Sequence, residues 1–121
     1  MGKVRIQRVY DDGGSAAVEG EFRVLVDRLW PRGVTKDRAA VDLWLKEVAP
    51  STELRKAFHH EAALFEDFAR RYNEELESNP AVDELREVLR HHPQVVLLYS
   101  AKDHDQNQAA VLLDYLNHHP R

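Results

Sequence analysis

The fold is decided by the stretch Val95-Val96-Leu97-Leu98-Tyr99-Ser100-Ala101-Lys102-Asp103. Its first five residues are apolar without alternation, which predicts a strand that is covered by helices on both faces. Polar and charged residues follow at once. The run Val24-Leu25-Val26-Asp27-Arg28-Leu29-Trp30-Pro31-Arg32-Gly33 has the same organisation. Because ligands of open α/β sheets bind beyond the carboxyl ends of the strands, the two runs predict one shared site.

The segments on either side of these runs predict further strands and helices. Val41–Val48 is ambiguous, because its apolar residues fit either a strand or a helix face. Its shortness, its Trp and Val content and its end at Ala49-Pro50 favour a strand. The other predicted strands are Val4–Tyr10, Phe22–Asp27 and Val95–Tyr99. The predicted helices are a short one capped by Thr35, Ser51–Phe58, Glu61–Ser78, one opened by Asn79-Pro80, and one starting near Asp105, whose carboxylate caps it.

This order of elements predicts an α/β fold, with a small, partly parallel sheet flanked by helices in a single domain over residues 1–121. We expect Val95–Tyr99 to be an interior strand with at least one parallel neighbour. Val24–Asp27 is expected to be that neighbour or to lie next to it.

Composition excludes several classes of protein. A hydrophobic content of 43 % argues against disorder. No apolar run approaches the roughly 20 residues of a membrane span. The chain has no cysteine, so it has neither disulfides nor thiolate chemistry. Its charged start lacks the apolar stretch of a signal peptide, so we expect a cytoplasmic protein. A net charge of −4 makes nucleic acid an unlikely partner.

The residues after the second apolar run predict an anion site. A buried strand that leads through a loop to a helix start aims backbone N–H groups at one point. Lys102 adds a positive charge there, and Ser100 and Asn107 add hydrogen-bond donors. The alternative is structural: Asp103, Asp105 and Asn107 would cap the helix while Lys102 is solvated.

The residues after the first run predict a binding site for a carboxylate or phosphate. Arg28 and Arg32 flank a rigid Trp-Pro unit, and guanidinium groups match both anions bidentately. Trp30 could stack on a flat ligand. In the structural alternative, Trp30 fills the edge of the core. We expect at least one of the two arginines to be largely buried and paired with a carboxylate, first of all Asp27 or Asp103.

Sites of other kinds have little support. Three histidine doublets, at positions 59–60, 91–92 and 118–119, suggest a metal, but adjacent residues on a helix point about 100° apart and do not chelate together. Two of them precede proline at helix ends, where histidine favours the helix dipole. Ser100 lacks the G-x-S-x-G motif of a serine nucleophile. The chain contains no P-loop and no dinucleotide-binding fingerprint, so we expect neither metal nor cofactor.

Three stretches of the chain carry long motifs: Val26–Gly33, Asp42–Arg55, and Tyr99–Asp103 with Asn107. Together they resemble the YeaO-like family of small bacterial and archaeal proteins, over nearly the whole chain. That family is a domain of unknown function, so the resemblance implies no activity. Wider relatives carry a Cys-Ala-Glu-Lys-Asp-like turn after the last strand. Ser100 stands at the cysteine position, so the resemblance implies no thiol chemistry here.

These observations lead to two functional hypotheses. In the first, the protein binds a small anionic ligand at the carboxyl-end rim of its sheet, and Asp27 or Asp103 supplies acid/base chemistry if the ligand is also a substrate. In the second, it is a non-catalytic interaction module or regulator. Its contact surface for a protein or nucleic acid would be Trp30 with a cation cluster, formed by Arg23, Arg28, Arg32, Lys36 and Arg38. Convergence of the cations in a pocket would favour the first hypothesis, and dispersal over a flat face the second.

Overall fold

A computed structural model describes residues 3–12, 20–58, 62–103 and 105–119. Its sheet is formed by β1 (Lys3–Arg8), β2 (Phe22–Leu25), β3 (Leu43–Trp44) and β4 (Gln94–Tyr99). The strand order is β1-β4-β2-β3, and every pairing of these strands is parallel. The predicted α/β class with a parallel sheet is therefore confirmed.

The strand β4 lies inside the sheet, as predicted. It pairs with β1 on one side, where Val95 lies beside Val4, and with β2 on the other, where Leu97 lies beside Val24. Every residue from Val95 to Tyr99 is buried. An unbroken apolar run suits this position because neither face of the strand meets water.

The described chain contains five α-helices, four of them between β2 and β4 and one after β4. Their bounds are α1 (Lys36–Ala39), α2 (Thr52–Phe58), α3 (Phe65–Glu77), α4 (Ala81–His91) and α5 (Gln108–His118). Short 3-10 turns occupy Val9–Asp12, Lys46–Val48 and Ala62–Leu64. The helix over 51–58 begins as expected, since the Ser51 hydroxyl accepts the Leu54 amide at 3.2 Å.

The two faces of the sheet have different covers. On one face the strands pack against buried residues of α2 to α5, among them Phe68, Tyr72, Leu85 and Leu112. On the other face Leu25, Val96 and Leu98 are fully buried, and Trp30 and Val41 pack against them. Both of these residues belong to the connection between β2 and β3. Helices were expected on this face. Among the described residues, the segment between β2 and β3 covers it instead.

The segment 41–48 is only partly the strand that was predicted. It forms the two-residue strand β3, and the 3-10 turn over Lys46–Val48 follows. Contacts from α3 and from the loop between α3 and α4 hold that turn. The Tyr72 hydroxyl donates to the Val48 carbonyl at 2.6 Å, and the Asn79 side-chain amide donates to the Glu47 carbonyl at 2.9 Å. These carbonyls are taken by side chains, so they do not extend a strand.

The last helix starts three residues later than predicted, and its cap is Asn107 instead of Asp105. The Asn107 side-chain oxygen accepts the Ala110 amide at 2.8 Å. The Asp103 carboxylate accepts hydrogen bonds from the backbone amides of Asp105 and Gln106, each at 2.8 Å, and so keeps these residues in a turn.

The described histidine doublets lie at helix ends. Nδ1 of His91, His118 and His119 each donates to a carbonyl of its own helix four residues earlier. This agrees with their interpretation as residues that end a helix. His59, His60 and His104 lie outside the described residues. Within the described chain, no helix combines the length and apolarity needed to cross a membrane. The cytoplasmic location stays a prediction.

Candidate functional site

A cleft of about 710 Å³ opens beyond the carboxyl ends of β2 and β4. It receives residues from both apolar runs, because the two strands are parallel neighbours and end at the same edge of the sheet. The predicted site residues that line it are Asp27, Arg28, Trp30, Arg32, Ser100, Lys102 and Asp103. Asn107 does not line the cleft.

Asp27 is the most unusual of these residues. Its side chain is buried, and Oδ1 accepts a hydrogen bond from the Gln108 side-chain amide. Among the described residues, Oδ2 is the one buried side-chain polar atom without a hydrogen-bond partner. Burial raises the pKa of the Asp27 carboxyl, because a desolvated carboxylate is disfavoured against its neutral form.

Three neighbours, Ser100, Arg55 and Gln108, oppose that rise in pKa. The Ser100 hydroxyl and amide lower the pKa of Asp27, although neither has the geometry of a hydrogen bond to Oδ2. The positive charge of Arg55 lowers it further. The desolvation effect is the largest of these and sets the direction of the shift. Asp27 therefore has the raised pKa that a general acid would need, but its unpaired oxygen is closed to solvent.

Arg28 is tied to the protein itself. Nε donates to the Pro50 carbonyl at 3.2 Å and a terminal nitrogen donates to the Ala49 carbonyl at 3.1 Å. The nearest carboxylate is that of the exposed Glu47, at 3.9 Å. Arg28 is therefore the arginine that pairs with a carboxylate, but its partner is Glu47 and not one of the first candidates, Asp27 and Asp103. Backbone carbonyls satisfy this guanidinium because the turn over Lys46–Val48 brings the following residues, Ala49 and Pro50, beneath it.

Three other cationic side chains line the cleft. Arg32 and Lys102 are exposed, and Arg55 on α2 is half-buried. None of these three side chains makes a hydrogen bond or ion pair with another residue in the described part of the chain. Unlike Arg28, Arg32 is thus not paired with a carboxylate of the described residues. Its position is held through the backbone, since the Tyr10 hydroxyl donates to its carbonyl at 2.8 Å.

The electrostatics of the cleft oppose those of the whole chain. Its lining includes four cationic side chains, Arg28, Arg32, Arg55 and Lys102, against the carboxylates of Asp27 and Asp103. The complete sequence carries a net charge of −4. A concave surface lined mostly by one sign of charge concentrates the field and attracts ions of opposite charge.

Trp30 is held on the sheet side of the cleft. Its indole donates to the Val34 carbonyl at 2.6 Å and meets Trp44 edge to face, with 5.4 Å between the ring centroids. The Trp44 indole in turn donates to the Asp27 carbonyl at 2.7 Å. Trp30 therefore contributes to the core edge as well as to the cleft lining, in agreement with the structural alternative.

Asp103 and Asn107 also have structural partners. Asp103 closes the turn before α5, and its backbone carbonyl accepts the Asn107 side-chain amide at 2.9 Å. Asn107 is almost fully buried and caps α5 with its oxygen. The amides of Asp105, Gln106 and Ala110 are consequently occupied, so the helix start offers fewer free N–H groups than the sequence suggested.

Four polar residues of the cleft were not predicted from the sequence. They are Tyr10, Arg55, Gln106 and Gln108. Tyr10 follows β1, a third parallel strand, so the rule used for the other two strand ends could have found it. Arg55 is the last residue of the second long motif. It lies on a helix that carries both acidic and basic residues, so its charge alone did not mark it as a site residue. The polar lining of the cleft thus comes from the loops after three strands and from two helices.

Comparisons with known proteins identify the family of this chain, and the relatives they give are uncharacterized. A family described as the inactive DUF488-N3 subclade matches residues 3–120. The chain belongs to this family. It is 45 % identical over 114 residues to the uncharacterized protein YeaO of Escherichia coli K12, covering 93 % of this chain and 96 % of YeaO. The resemblance to the YeaO-like family is therefore confirmed.

Mycobacterial proteins are equally similar to this chain. The uncharacterized protein Rv3073c of Mycobacterium tuberculosis H37Rv is 45 % identical over 116 residues, which cover 95 % of this chain and 94 % of Rv3073c. The same values hold for the uncharacterized protein Mb3100c of Mycobacterium bovis. No solved structure matches. In the described residues, no group of three metal-ligating side chains is placed to hold an ion.

Proposed function

We propose that this protein binds a small anion bearing a phosphate or carboxylate in the cleft beyond β2 and β4. The observation that carries the proposal is the set of three cations, Arg32, Arg55 and Lys102, that line a cleft of an acidic chain and make no hydrogen bond or ion pair with another described residue. A volume of about 710 Å³ lies within the range of roughly 300–1,000 Å³ typical of small-molecule sites.

The residues favour binding over catalysis. Asp103 is used in a turn, and the unpaired oxygen of Asp27 is closed to solvent. The description of the family as inactive points in the same direction.

The interaction-module hypothesis has less support. Of its cation cluster, Arg23 is almost fully buried and donates to the Ala39 carbonyl at 3.0 Å, so it is not part of a contact surface. The side chain of Arg38 lies outside the described part of the structure. Arg28 and Arg32 converge in the cleft. That nucleic acid is not a partner stays a prediction.

Calorimetric titration with phosphate, sulfate and nucleotides at low ionic strength tests the proposal. We expect saturable binding that weakens as salt rises, because added ions screen the cations. Lys102→Ala and Arg32→Gln should each weaken binding about tenfold, the effect of losing one charge-assisted hydrogen bond of roughly 1.4 kcal/mol.

The matched control is Arg70→Gln, which removes an exposed cation on α3 outside the cleft lining. It should bind as the wild type does. Equal, unsaturable responses of wild type, Lys102→Ala and Arg32→Gln to all three ligands would show that no specific anion site exists here, and the interaction-module hypothesis would then be preferred.

A further inference from the structure

The cleft exposes apolar surface beside its cations. Leu29 is 65 % exposed and Tyr10 is 41 % exposed, and both line the cleft. Among the described residues, the other large apolar side chains with comparable exposure are Trp44 and Leu64, neither of which lines it. Leu29 follows directly on Arg28, whose bonds to Ala49 and Pro50 hold this part of the loop.

Packing within the chain does not account for Leu29. A leucine that remains two-thirds exposed adds little to the core, and its hydration disfavours the position. Its neighbours Arg28 and Trp30 are both less exposed. An apolar group beside these cations offers two kinds of contact to one ligand, a charge–charge contact and an apolar contact.

We infer that the ligand of this cleft is an organic anion with an apolar ring or chain, rather than an inorganic ion. The inference rests on the proposed function and names its ligand class. The cations hold the phosphate or carboxylate, and Leu29 and the Tyr10 ring cover the apolar part. The cleft volume supports this assignment, since about 710 Å³ far exceeds the space of one inorganic anion and sites of this size enclose most of an organic ligand.

The experiment compares phenyl phosphate with inorganic phosphate by calorimetric titration of the full chain. We expect phenyl phosphate to bind at least about tenfold more tightly, because each 1.4 kcal/mol from ring burial is a factor of ten. Leu29→Ser should lower the affinity for phenyl phosphate about threefold, since only part of one side chain is lost. It should leave the affinity for inorganic phosphate unchanged.

Leu64→Ser is the matched control, because it removes an exposed leucine outside the cleft lining. It should change neither affinity. If phosphate and phenyl phosphate bind equally, or if Leu29→Ser has no effect on their ratio, the assignment of an organic anion is wrong while anion binding stands. If neither ligand binds, the proposed function itself fails.

Discussion

At the scale of single residues, Asp27 is a site residue whose burial is energetically unfavourable. A carboxylate is placed directly after a buried strand, and its backbone carbonyl is held by the Trp44 indole at 2.7 Å. Gln108 satisfies one side-chain oxygen, and the other has no partner among the described residues. A buried acceptor without a partner costs about 1–3 kcal/mol. Asp27 thus destabilises the fold when it is ionised.

The pH dependence of stability tests this account of Asp27. Because burial raises its pKa in the folded protein, the folded state binds more protons than the unfolded state between the two pKa values. The stability contribution of Asp27 therefore falls as pH rises from the ordinary pKa through the raised one, and the full penalty applies above it. Asp27→Asn removes this titration.

We expect Asp27→Asn to be more stable relative to wild type at pH 7 than at pH 3, as measured by urea unfolding at both pH values. Other carboxylates cancel in the difference between the two proteins. Glu66→Gln, which changes an exposed carboxylate on α3, is the control and should show no such change. A difference between Asp27→Asn and wild type that is constant with pH would contradict the raised pKa.

At the scale of elements, the start of α5 determines which groups reach the cleft. Asn107 joins the turn to the helix through two bonds, from the Ala110 amide to its oxygen and from its own amide to the Asp103 carbonyl. These bonds place Gln108 beside Asp27 and leave Lys102 exposed at the rim. Asn107 thus positions the site without lining it.

Substitutions at the two candidate caps distinguish the observed cap from the predicted one. Asn107→Ala should destabilise the protein by about 1–2 kcal/mol, since it removes an N-cap and leaves buried backbone groups unpaired. Asp105→Ala should change stability by less than about 0.5 kcal/mol, because an exposed side chain away from a cap contributes little. Urea unfolding measures both. Comparable effects of the two substitutions would mean that α5 begins near Asp105 after all.

At the scale of the whole molecule, the sheet stabilises the cleft because β4 is covered on both faces. Leu97 packs in the cluster with the helices, and Leu98 packs in the cluster with Trp30 and Val41. Both leucines are fully buried. The connection between β2 and β3 therefore has two uses: it covers one face of the sheet, and its first residues line the cleft.

Truncation of either leucine tests that two-sided burial. Leu97→Ala and Leu98→Ala should each destabilise the protein by roughly 2–5 kcal/mol, the usual result of a cavity in a packed core. Leu64→Ala, at an exposed position, is the control and should have a small effect. An effect of Leu98→Ala below about 1 kcal/mol would show that the second face of the sheet is open to water.

The sequence alone determined the class of the fold and the edge of the sheet where a site could form. A strand with an unbroken apolar run is stable only where both of its faces are covered, so the composition of Val95–Tyr99 indicated an interior position in the sheet. Once the strands are parallel, their carboxyl ends share one edge, and the residues after Val26 and Tyr99 must meet there. The predicted cleft residues other than Asn107 do line one cavity for this reason.

Only the tertiary structure decided the partners of those residues. Arg28 bonds to Ala49 and Pro50 because distant residues, Tyr72 and Asn79, hold the preceding turn in place. Arg55 enters the cleft through the packing of α2, which no local pattern encodes. Periodicity reports which face of an element is buried, whereas hydrogen bonds between distant residues depend on how the elements pack together. Charge pairing therefore followed from the fold and could not be derived from spacing along the chain.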